Sequence, residues 1–236
     1  MVNAGWACKL VSCLTSEGNT DRVTEATTAW LDRYLKDDTS VDLGSPVEIV
    51  DQNDQHWVGD DYPTADQPGS GTVSGSSAGS TLRLTADSQS GPLPDGAGKG
   101  LLGGLVTPLT PYPVAADQAV EAKVTAKGDV LVVGAPKLAM TYSGTTPGEA
   151  STHVFAQLVD PETNTVVGNQ ITPVPVALDG EEHTAEVDLE VIAQHMKADS
   201  SLTLQVVAST GASAKPALGG EIDVSSLDVS LPTTTE

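Results

Sequence analysis

Alternation of apolar and polar residues is the feature that most constrains the fold of this 236-residue chain. Segments such as PKLAMTY (136–142), HVFAQLVD (153–160) and SLTLQVVA (201–208) place an apolar side chain at every second position. A period of two is typical of strands that bury one face. Turn residues such as DPETN (160–164) separate the segments, which favours an antiparallel β-sandwich over a helical bundle.

Two further segments extend this pattern and indicate what the core is made of. TAEVDL (184–189) alternates in the same way, and GEIDVSSLDVSL (220–231) carries apolar residues at Ile222, Val224, Leu227, Val229 and Leu231. The chain has only one Phe, three Trp and four Tyr, so Val, Leu, Ala and Ile must fill the interior. The predicted fold class is therefore mainly β.

One segment near the start, residues 20–36, has helical periodicity instead. Asn19, Thr20 or Asp21 could cap its N-terminal end. Its apolar residues recur at spacings of three and four, at Val23, Ala26, Trp30, Leu31, Tyr34 and Leu35. A stripe with two large aromatic residues needs a partner surface, and little in residues 1–60 could supply one.

Glycine and serine dominate the text between the helix and the strands. Residues 66–80, DQPGSGTVSGSSAGS, are predicted to form a hairpin loop that leads into the strand STLRLTAD (80–87). Residues 88–100, SQSGPLPDGAGKG, are predicted to be a flexible connection.

The charge balance excludes two classes of partner. Acidic residues outnumber basic ones 32 to 11, giving a net charge of -21. Such a surface repels phosphate backbones and anionic lipids, so we expect neither nucleic-acid nor membrane-surface binding. No apolar run approaches the ~20 residues of a membrane span. Met1-Val2-Asn3 does not begin a signal peptide, so either the protein is cytoplasmic or Met1 is not the natural start of its polypeptide.

The only two cysteines, Cys8 and Cys13, lie five positions apart. They do not form a CxxC motif, and no Cys or His partner stands nearby at zinc spacing. A local disulfide between Cys8 and Cys13 is the favoured interpretation, and two buried free thiols are the alternative.

Motif matches elsewhere predict no catalytic residue, no metal site and no cofactor. Gly75–Gly79 has the letters of a GxSxG elbow, but glycine and serine surround it and a strand, not a helix, is expected after it. The acidic clusters DQND (51–54) and Asp60-Asp61 lack the spacing of a calcium loop. The four histidines are expected at surface or edge positions, with His195 on a short helical turn: His56, His153, His183 and His195.

Four segments together resemble one enzyme family. Residues 26–54 are similar to the last helix and exit strand of the catalytic domain in secreted actinobacterial α/β-hydrolases of the X-prolyl dipeptidyl-peptidase and cocaine-esterase group. Residues 130–144, 152–168 and 186–210 resemble the C-terminal galactose-binding-like jelly roll of the same group. The resemblance covers about residues 20 to 231 and implies a jelly-roll sandwich preceded by a helix that belongs to an α/β-hydrolase domain.

The resemblance also implies a Ser–Asp–His triad, whose serine and aspartate would lie upstream of Met1. In the family a Gly-Gly-His segment stands between a Trp-x-Cys and a Cys-Leu-Thr. Here Trp6-Ala7-Cys8 and Cys13-Leu14-Thr15 are present, but residues 9–12 read Lys-Leu-Val-Ser and contain no histidine. The chain alone is therefore expected to be inactive.

By this resemblance the chain has three parts. Residues 1–60 would be the C-terminal remnant of the catalytic domain, residues 61–100 a Gly/Ser-rich hairpin and connector, and residues 101–236 the galactose-binding-like domain. The implied partners are a missing or separate α/β-hydrolase domain and further copies in a homo-oligomer. The parent protein would be extracellular or in the cell envelope.

Two alternatives to the accessory portion of a hydrolase stay open. One is a stand-alone β-sandwich module that binds carbohydrate or protein. The other is an inactive relative with an independent structural or adhesive role.

Overall fold

The computed structural model describes residues 17–53, 55–62, 70–85, 115–210 and 219–234. Within these ranges the chain forms one helix and thirteen strands. It divides into two compact units, Met1–Pro63 and Thr64–Glu236. The described part of the first unit contains the helix and a two-stranded hairpin, and the second unit contains the remaining strands.

The first unit consists of α1 (Glu17–Leu35), β1 (Val47–Val50) and β2 (His56–Gly59). The strands of the second unit are β3 (Ser70–Ser77), β4 (Thr81–Arg83), β5 (Val120–Thr125), β6 (Val130–Gly134), β7 (Lys137–Thr145), β8 (Ser151–Asp160), β9 (Thr165–Ala177), β10 (Asp179–Asp188), β11 (Ile192–Met196), β12 (Ser201–Val207) and β13 (Glu221–Thr234).

Helix α1 begins earlier than its sequence indicated. Asn19, Thr20 and Asp21 lie inside the helix, so the prediction that one of them caps it is wrong. An aspartate is compatible with the first turns, because its charge interacts favourably with the helix dipole. At the other end Asp37 adopts a left-handed conformation (φ 54°), and the N–H of Asp38 donates to the carbonyl of Asp32 at 3.2 Å. This is the usual geometry of a helix end.

Polar contacts connect the parts of the first unit. Arg22 on α1 forms an ion pair with Glu48 on β1, and His56 Nδ1 on β2 lies 3.1 Å from the same carboxylate. Arg33 donates to the carbonyl oxygen of Val41, 3.1 Å away, in the segment after the helix. No apolar side chain that the structure describes in this unit is buried. The unit therefore has no hydrophobic core among its described residues.

Strand β13 is the central strand of the larger sheet in the second unit. It pairs with β7 between Glu221 and Ser230, and with β3 between Leu227 and Thr234. Because Leu227–Ser230 pair with both strands, β7 and β3 lie on opposite edges of β13. β4 and β6 also pair with β13, while β10 and β11 extend the sheet beyond β7 and β6. Every one of these pairings is antiparallel.

The smaller sheet has the strand order β5-β12-β8-β9 and is also antiparallel. Buried apolar residues from both sheets form one main cluster. It contains the inward positions that the alternation predicted: Leu138, Met140, Tyr142, Val154, Ala156, Leu158, Ala185, Leu189, Leu202, Leu204 and Val206. The prediction of an antiparallel β-sandwich preceded by a helix is confirmed.

A β-bulge explains the change of phase in the last predicted strand. Ile222 and Val224 alternate on one face, and the register then shifts between Val224 and Ser226. Without the extra residue, Leu227 and Leu231 would point to the opposite face of the sheet. With it, both are fully buried in the same cluster as Ile222.

Strand β3 occupies a segment that was predicted to be a loop, and for Ser70–Ser77 that prediction is wrong. Backbone hydrogen bonds to β13 hold this strand, and they do not depend on large side chains. Gly75 is required for a different reason: a Cβ atom there would lie 2.1 Å from the carbonyl oxygen of Lys123 on β5. The two sheets thus approach each other closely at this point, where only glycine fits.

We expect Gly75→Ala to lower the free energy of unfolding by about 1–3 kcal/mol, because one sheet must move away from the other. Urea denaturation followed by circular dichroism measures the change. Gly128→Ala is the matched control, since a Cβ there meets nothing within 4 Å and the stability should be nearly unchanged. Equal urea midpoints for Gly75→Ala and the unmutated chain would contradict the close approach of Gly75 to the backbone of Lys123.

The prediction of a helical turn around His195 is wrong, because this segment forms strand β11. Ile192–Met196 pair with β6, so His195 lies on an edge strand of the larger sheet. The residues Ala, Gln, His and Met have no strong preference for strands, but pairing with the valine-rich β6 overrides that local tendency. Gln194 is buried between Ile192 and Met196 on the inward side of β11.

Two buried glutamines of the sandwich differ in how their amides are satisfied. Gln205 Oε1 accepts hydrogen bonds from the N–H of Ala116 and from Gln157 Nε2, each at 2.9 Å, and Gln205 Nε2 donates to Glu121 at 2.7 Å. Gln194 Nε2 reaches only the carbonyl of His195, at 3.3 Å, and its Oε1 has no partner within the described ranges. An unsatisfied buried acceptor is costly.

We expect the same substitution to have opposite effects at these two positions. Gln194→Met should raise the free energy of unfolding by up to about 1 kcal/mol, because it removes an unsatisfied polar group. Gln205→Met should lower it by about 1–3 kcal/mol, because it leaves the backbone of Ala116 and the amide of Gln157 without their partner. Urea denaturation measures the free energy of unfolding of both variants. A loss of stability in Gln194→Met would refute the interpretation that Gln194 Oε1 is an unsatisfied acceptor.

Candidate functional site

The four histidines lie on four different strands. His56 is on β2, His153 on β8, His183 on β10 and His195 on β11. Two of them contact carboxylates, His56 with Glu48 at 3.1 Å and His183 with Asp179 at 2.8 Å. In the described part of the chain, neither of these two pairs includes a serine hydroxyl among its hydrogen-bond partners. The pairs therefore lack the nucleophile that a catalytic triad needs.

The His183–Asp179 pair stabilises the turn between β9 and β10. Asp179 accepts one hydrogen bond from His183 Nε2 and another from the N–H of Glu181 at 3.0 Å. The N–H of Ala177, at the end of β9, donates to the hydroxyl of Tyr142 at 2.9 Å. The hydrogen bond from His183 is the main reason that the pKa of Asp179 lies below its ordinary value. These hydrogen bonds stabilise the turn on both sides, through Ala177 at the end of β9 and through His183 on β10.

We expect Asp179→Asn to destabilise the sandwich at neutral pH and to have little effect in acid. A carboxylate whose pKa is lowered by folding stabilises the protein above its ordinary pKa, and this stability is lost as the pH falls through the lowered value. The difference between the two proteins should therefore shrink below about pH 4. Urea denaturation between pH 2 and 7 tests this, with Glu186→Gln on the same strand as the control. A difference that is independent of pH would contradict it.

The GxSxG letters at Gly75–Gly79 fall on the end of β3 and the turn into β4. Ser77 Oγ accepts a hydrogen bond from the N–H of Gly79 at 3.1 Å. Gly79 has a positive φ of 72°, and a Cβ there would lie 2.2 Å from the carbonyl oxygen of Val224. A nucleophile elbow connects a strand to a helix, whereas this turn connects two strands.

Among the acidic residues near the hairpin, Asp51 has a local structural role. Asp51 is buried, and its Oδ1 accepts hydrogen bonds from the N–H groups of Asn53 (2.8 Å) and Gln55 (2.9 Å) in the β1–β2 turn. Asp60 and Asp61 are exposed. Among the described residues, no group of three or more His, Cys, Asp or Glu is placed to hold a metal ion. The disulfide candidates Cys8 and Cys13, like Asp54, lie outside the described residues.

A concave surface of about 710 Å³ lies on the outer side of the larger sheet. Four strands form it in register, β10, β7, β13 and β3, so that Glu186, Ala139, Asp228 and Ser76 lie side by side in one row. The parallel row contains Asp188, Lys137, Ser230 and Ser74. Small side chains make the floor, and none of its described lining residues is aromatic.

The second notable surface is the apolar stripe of α1, defined here as Val23, Trp30, Leu31, Tyr34 and Leu35. Trp30 is 53% exposed, Val23 67% and Leu35 73%. The rings of Trp30 and Tyr34, one helical turn apart, contact each other with centroids at 5.0 Å. Large apolar side chains this exposed on one helix face are typical of an interaction surface. The stripe matches the helical periodicity of the sequence, and its exposure agrees with the expectation that little in residues 1–60 could cover it.

Two solved structures resemble the chain over nearly its whole length. A CocE/NonD family hydrolase from Staphylococcus aureus has a TM-score of 0.53 and 13% identity, covering 92% of this chain and 46% of that chain. An aminopeptidase from the marine sediment archaeon Thaumarchaeota archaeon has a TM-score of 0.54 and 12% identity, covering 94% of this chain and 46% of that chain. The chain therefore has a CocE/NonD-like fold and spans about half the length of these two structures.

Other comparisons add nothing to this likeness. The sequence matches no protein-family model, and the curated proteins provide no match. Among the residues that the structure describes, no helix is both long enough and apolar enough to cross a membrane.

Proposed function

We propose that this chain is the C-terminal accessory portion of a serine hydrolase similar to the X-prolyl dipeptidyl-peptidases and related esterases. One observation carries the proposal: the chain aligns over 92–94% of its own length with two hydrolytic enzymes, but with only 46% of theirs. The family that the sequence resembles uses a Ser–Asp–His triad, so the parent reaction would be acyl transfer to a serine.

The lack of a core in the first unit supports the same proposal. A helix and a two-stranded hairpin with no buried apolar side chain among their described residues are too small to be stable alone. They are instead expected to be the last elements of a larger α/β domain, as the sequence resemblance implies. The sandwich, which has its own core, would pack on that domain, help to form the wall of the substrate pocket and support oligomerisation.

The chain by itself would not catalyse the reaction. Its histidine–carboxylate pairs at His56 and His183 stabilise a hairpin and a turn, and both serines of its GxSxG segment, Ser76 and Ser77, lie at the end of strand β3. The catalytic groups would come from the α/β-hydrolase domain. We propose an extracellular or cell-envelope location for the complete protein.

The concave surface of the larger sheet is the feature that a carbohydrate-binding module would use. Sugar-binding sites stack aromatic rings against the sugar faces, and none of the described residues that line this surface is aromatic. The accessory role is therefore the better supported function.

We expect the purified chain to show no labelling by a fluorophosphonate probe above a heat-denatured control. Such probes react with an activated serine, and no described serine is hydrogen-bonded to His56 or His183. The sandwich must unfold cooperatively in urea, which shows that the preparation is folded, and an active serine hydrolase is the positive control. Stoichiometric labelling at one serine of the folded chain would overturn the proposal.

A further inference from the structure

We propose that Asp179–Gly180 is a site of isoaspartate formation, and that the hydrogen bond from His183 to the Asp179 carboxylate protects this site in the folded chain. Three features of the start of β10 support this modification, and none of them depends on the hydrolase assignment. They are the Asp–Gly sequence, the irregular backbone at Gly180, and the hydrogen bonds of the carboxylate.

Glycine after an aspartate leaves the side-chain carboxyl open to attack by the next main-chain nitrogen. A larger residue shields that nitrogen with its own side chain, whereas glycine has no Cβ. The chain contains two Asp–Gly sequences: Asp95–Gly96, which lies outside the described residues, and Asp179–Gly180. Apart from its chain neighbours, a Cβ atom at Gly180 would meet nothing closer than Thr145 Cγ2, 3.8 Å away. The main chain at this point is therefore uncrowded.

The backbone around Gly180 also departs from the regular ladder. Where the register of β10 against β7 shifts, the two residues Gly180 and Glu181 lie opposite the single Gly144. Gly180 has a φ of 90°, a conformation that residues with a Cβ rarely adopt. Attack on the carboxyl requires the peptide after Asp179 to rotate. A β-bulge restrains this rotation less than a continuous ladder does, because its extra residue is unpaired.

The modification consumes no reactant other than water. The main-chain nitrogen of Gly180 attacks Cγ of the protonated Asp179 carboxyl, and the amide proton leaves with the carboxyl hydroxyl as water, which gives a cyclic succinimide. Water then opens the ring. Cleavage at the main-chain carbonyl of Asp179 gives isoaspartate, whose chain runs through the side chain, and cleavage at Cγ restores aspartate. The mass is unchanged, because the water lost in the first step is regained in the second.

Hydrogen bonds hold the Asp179 carboxyl in its unreactive form. Its Oδ1 accepts from His183 Nε2 at 2.8 Å and from the N–H of Glu181 at 3.0 Å. The hydrogen bond from His183 is the main cause that lowers the pKa of Asp179, so the carboxyl stays ionised. An ionised carboxyl is a poor electrophile, because its oxygen needs further protons to leave as water. The folded chain therefore disfavours the first step of the modification.

His183 is the donor that lies outside the bulge. It pairs with Tyr142 on β7, and the two rings contact each other with centroids 5.9 Å apart. The other donor, the N–H of Glu181, belongs to the bulge and moves with the peptide that has to rotate. Loss of the imidazole therefore removes the restraint that is independent of the bulge.

Isoaspartate at this position would loosen the start of β10. It inserts a methylene group into the main chain where Asp179 pairs with Thr145, and it removes the side-chain carboxylate from its place beside His183. β10 is the terminal strand of its sheet and pairs only with β7 among the described strands. The modified chain is therefore expected to unfold at a lower urea concentration.

Ageing of the purified full chain tests the protection. Folded and guanidinium-unfolded samples are kept in neutral buffer at one temperature. Isoaspartate is located by peptide mapping with electron-transfer fragmentation and quantified with an isoaspartyl methyltransferase. In the unfolded chain, Asp179 and Asp95 should form isoaspartate at similar rates. In the folded chain Asp179 should react at least about tenfold more slowly, the factor expected for a hydrogen bond to a charged group. Equal rates at Asp179 in the two states, or no isoaspartate at Asp179 in the unfolded chain, would overturn the proposal.

Substitution of His183 identifies the protecting group. His183→Phe keeps a ring beside Tyr142 but has no donor, His183→Gln keeps a donor, and His153→Phe on β8 is the matched control. In the folded state, His183→Phe should form isoaspartate at Asp179 at least about tenfold faster than the unmutated chain, whereas His183→Gln and His153→Phe should stay close to it. Equal rates in His183→Phe and the unmutated chain would overturn the role of His183. Urea denaturation shows that each variant is folded, and His183→Ala takes the place of His183→Phe if the larger ring prevents folding.

Discussion

The pairing of β13 with strands from both ends of the second unit is the interaction on which the rest of the sandwich depends. Without β13, the larger sheet would separate into the pairs β7–β10 and β6–β11 and the unattached strands β3 and β4. Its partner β3 lies about 150 residues earlier in the chain. The larger sheet therefore forms only when distant segments meet, and the register of β13 determines which residues of four neighbours face the core.

That register in turn determines how the small side chains fill the interior. The single Phe155 lies outside the main core, in a small cluster with Ala116 and Val207 on the other side of the smaller sheet. Among the described residues of the main core, Tyr142 is the one aromatic residue, and its hydroxyl accepts a hydrogen bond from the N–H of Ala177. With Val, Leu, Ala, Ile and Met supplying the rest, the two sheets lie close together, which is consistent with the requirement for glycine at position 75.

Sequence patterns predicted the parts of this fold in which one face of a strand is buried and the other is not. The alternation in β7, β8, β12 and β13 identified strands and their inward residues, and even the displaced phase at Leu227 had a physical cause in the bulge. The alternation did not identify β3, whose glycines and serines are typical of a loop, or β11, where Ala, Gln and Met favour a helix. In both strands the conformation comes from pairing with a neighbour, β13 or β6, and a single segment carries no information about its neighbours.

The candidate site could be predicted only in part, because most of the residues that could take part in chemistry have structural roles instead. Asp51 stabilises the β1–β2 turn, and Asp179 and His183 stabilise the turn before β10. Ser77 Oγ accepts a hydrogen bond from the N–H of Gly79. Such roles depend on contacts that become visible only in the folded chain. The stripe of α1 is different: the sequence indicated both its periodicity and the shortage of a covering surface in residues 1–60, and the stripe is exposed. In the described part of the chain, the stripe gathers five exposed large apolar side chains on one helix face, where a spacing of three and four residues places them.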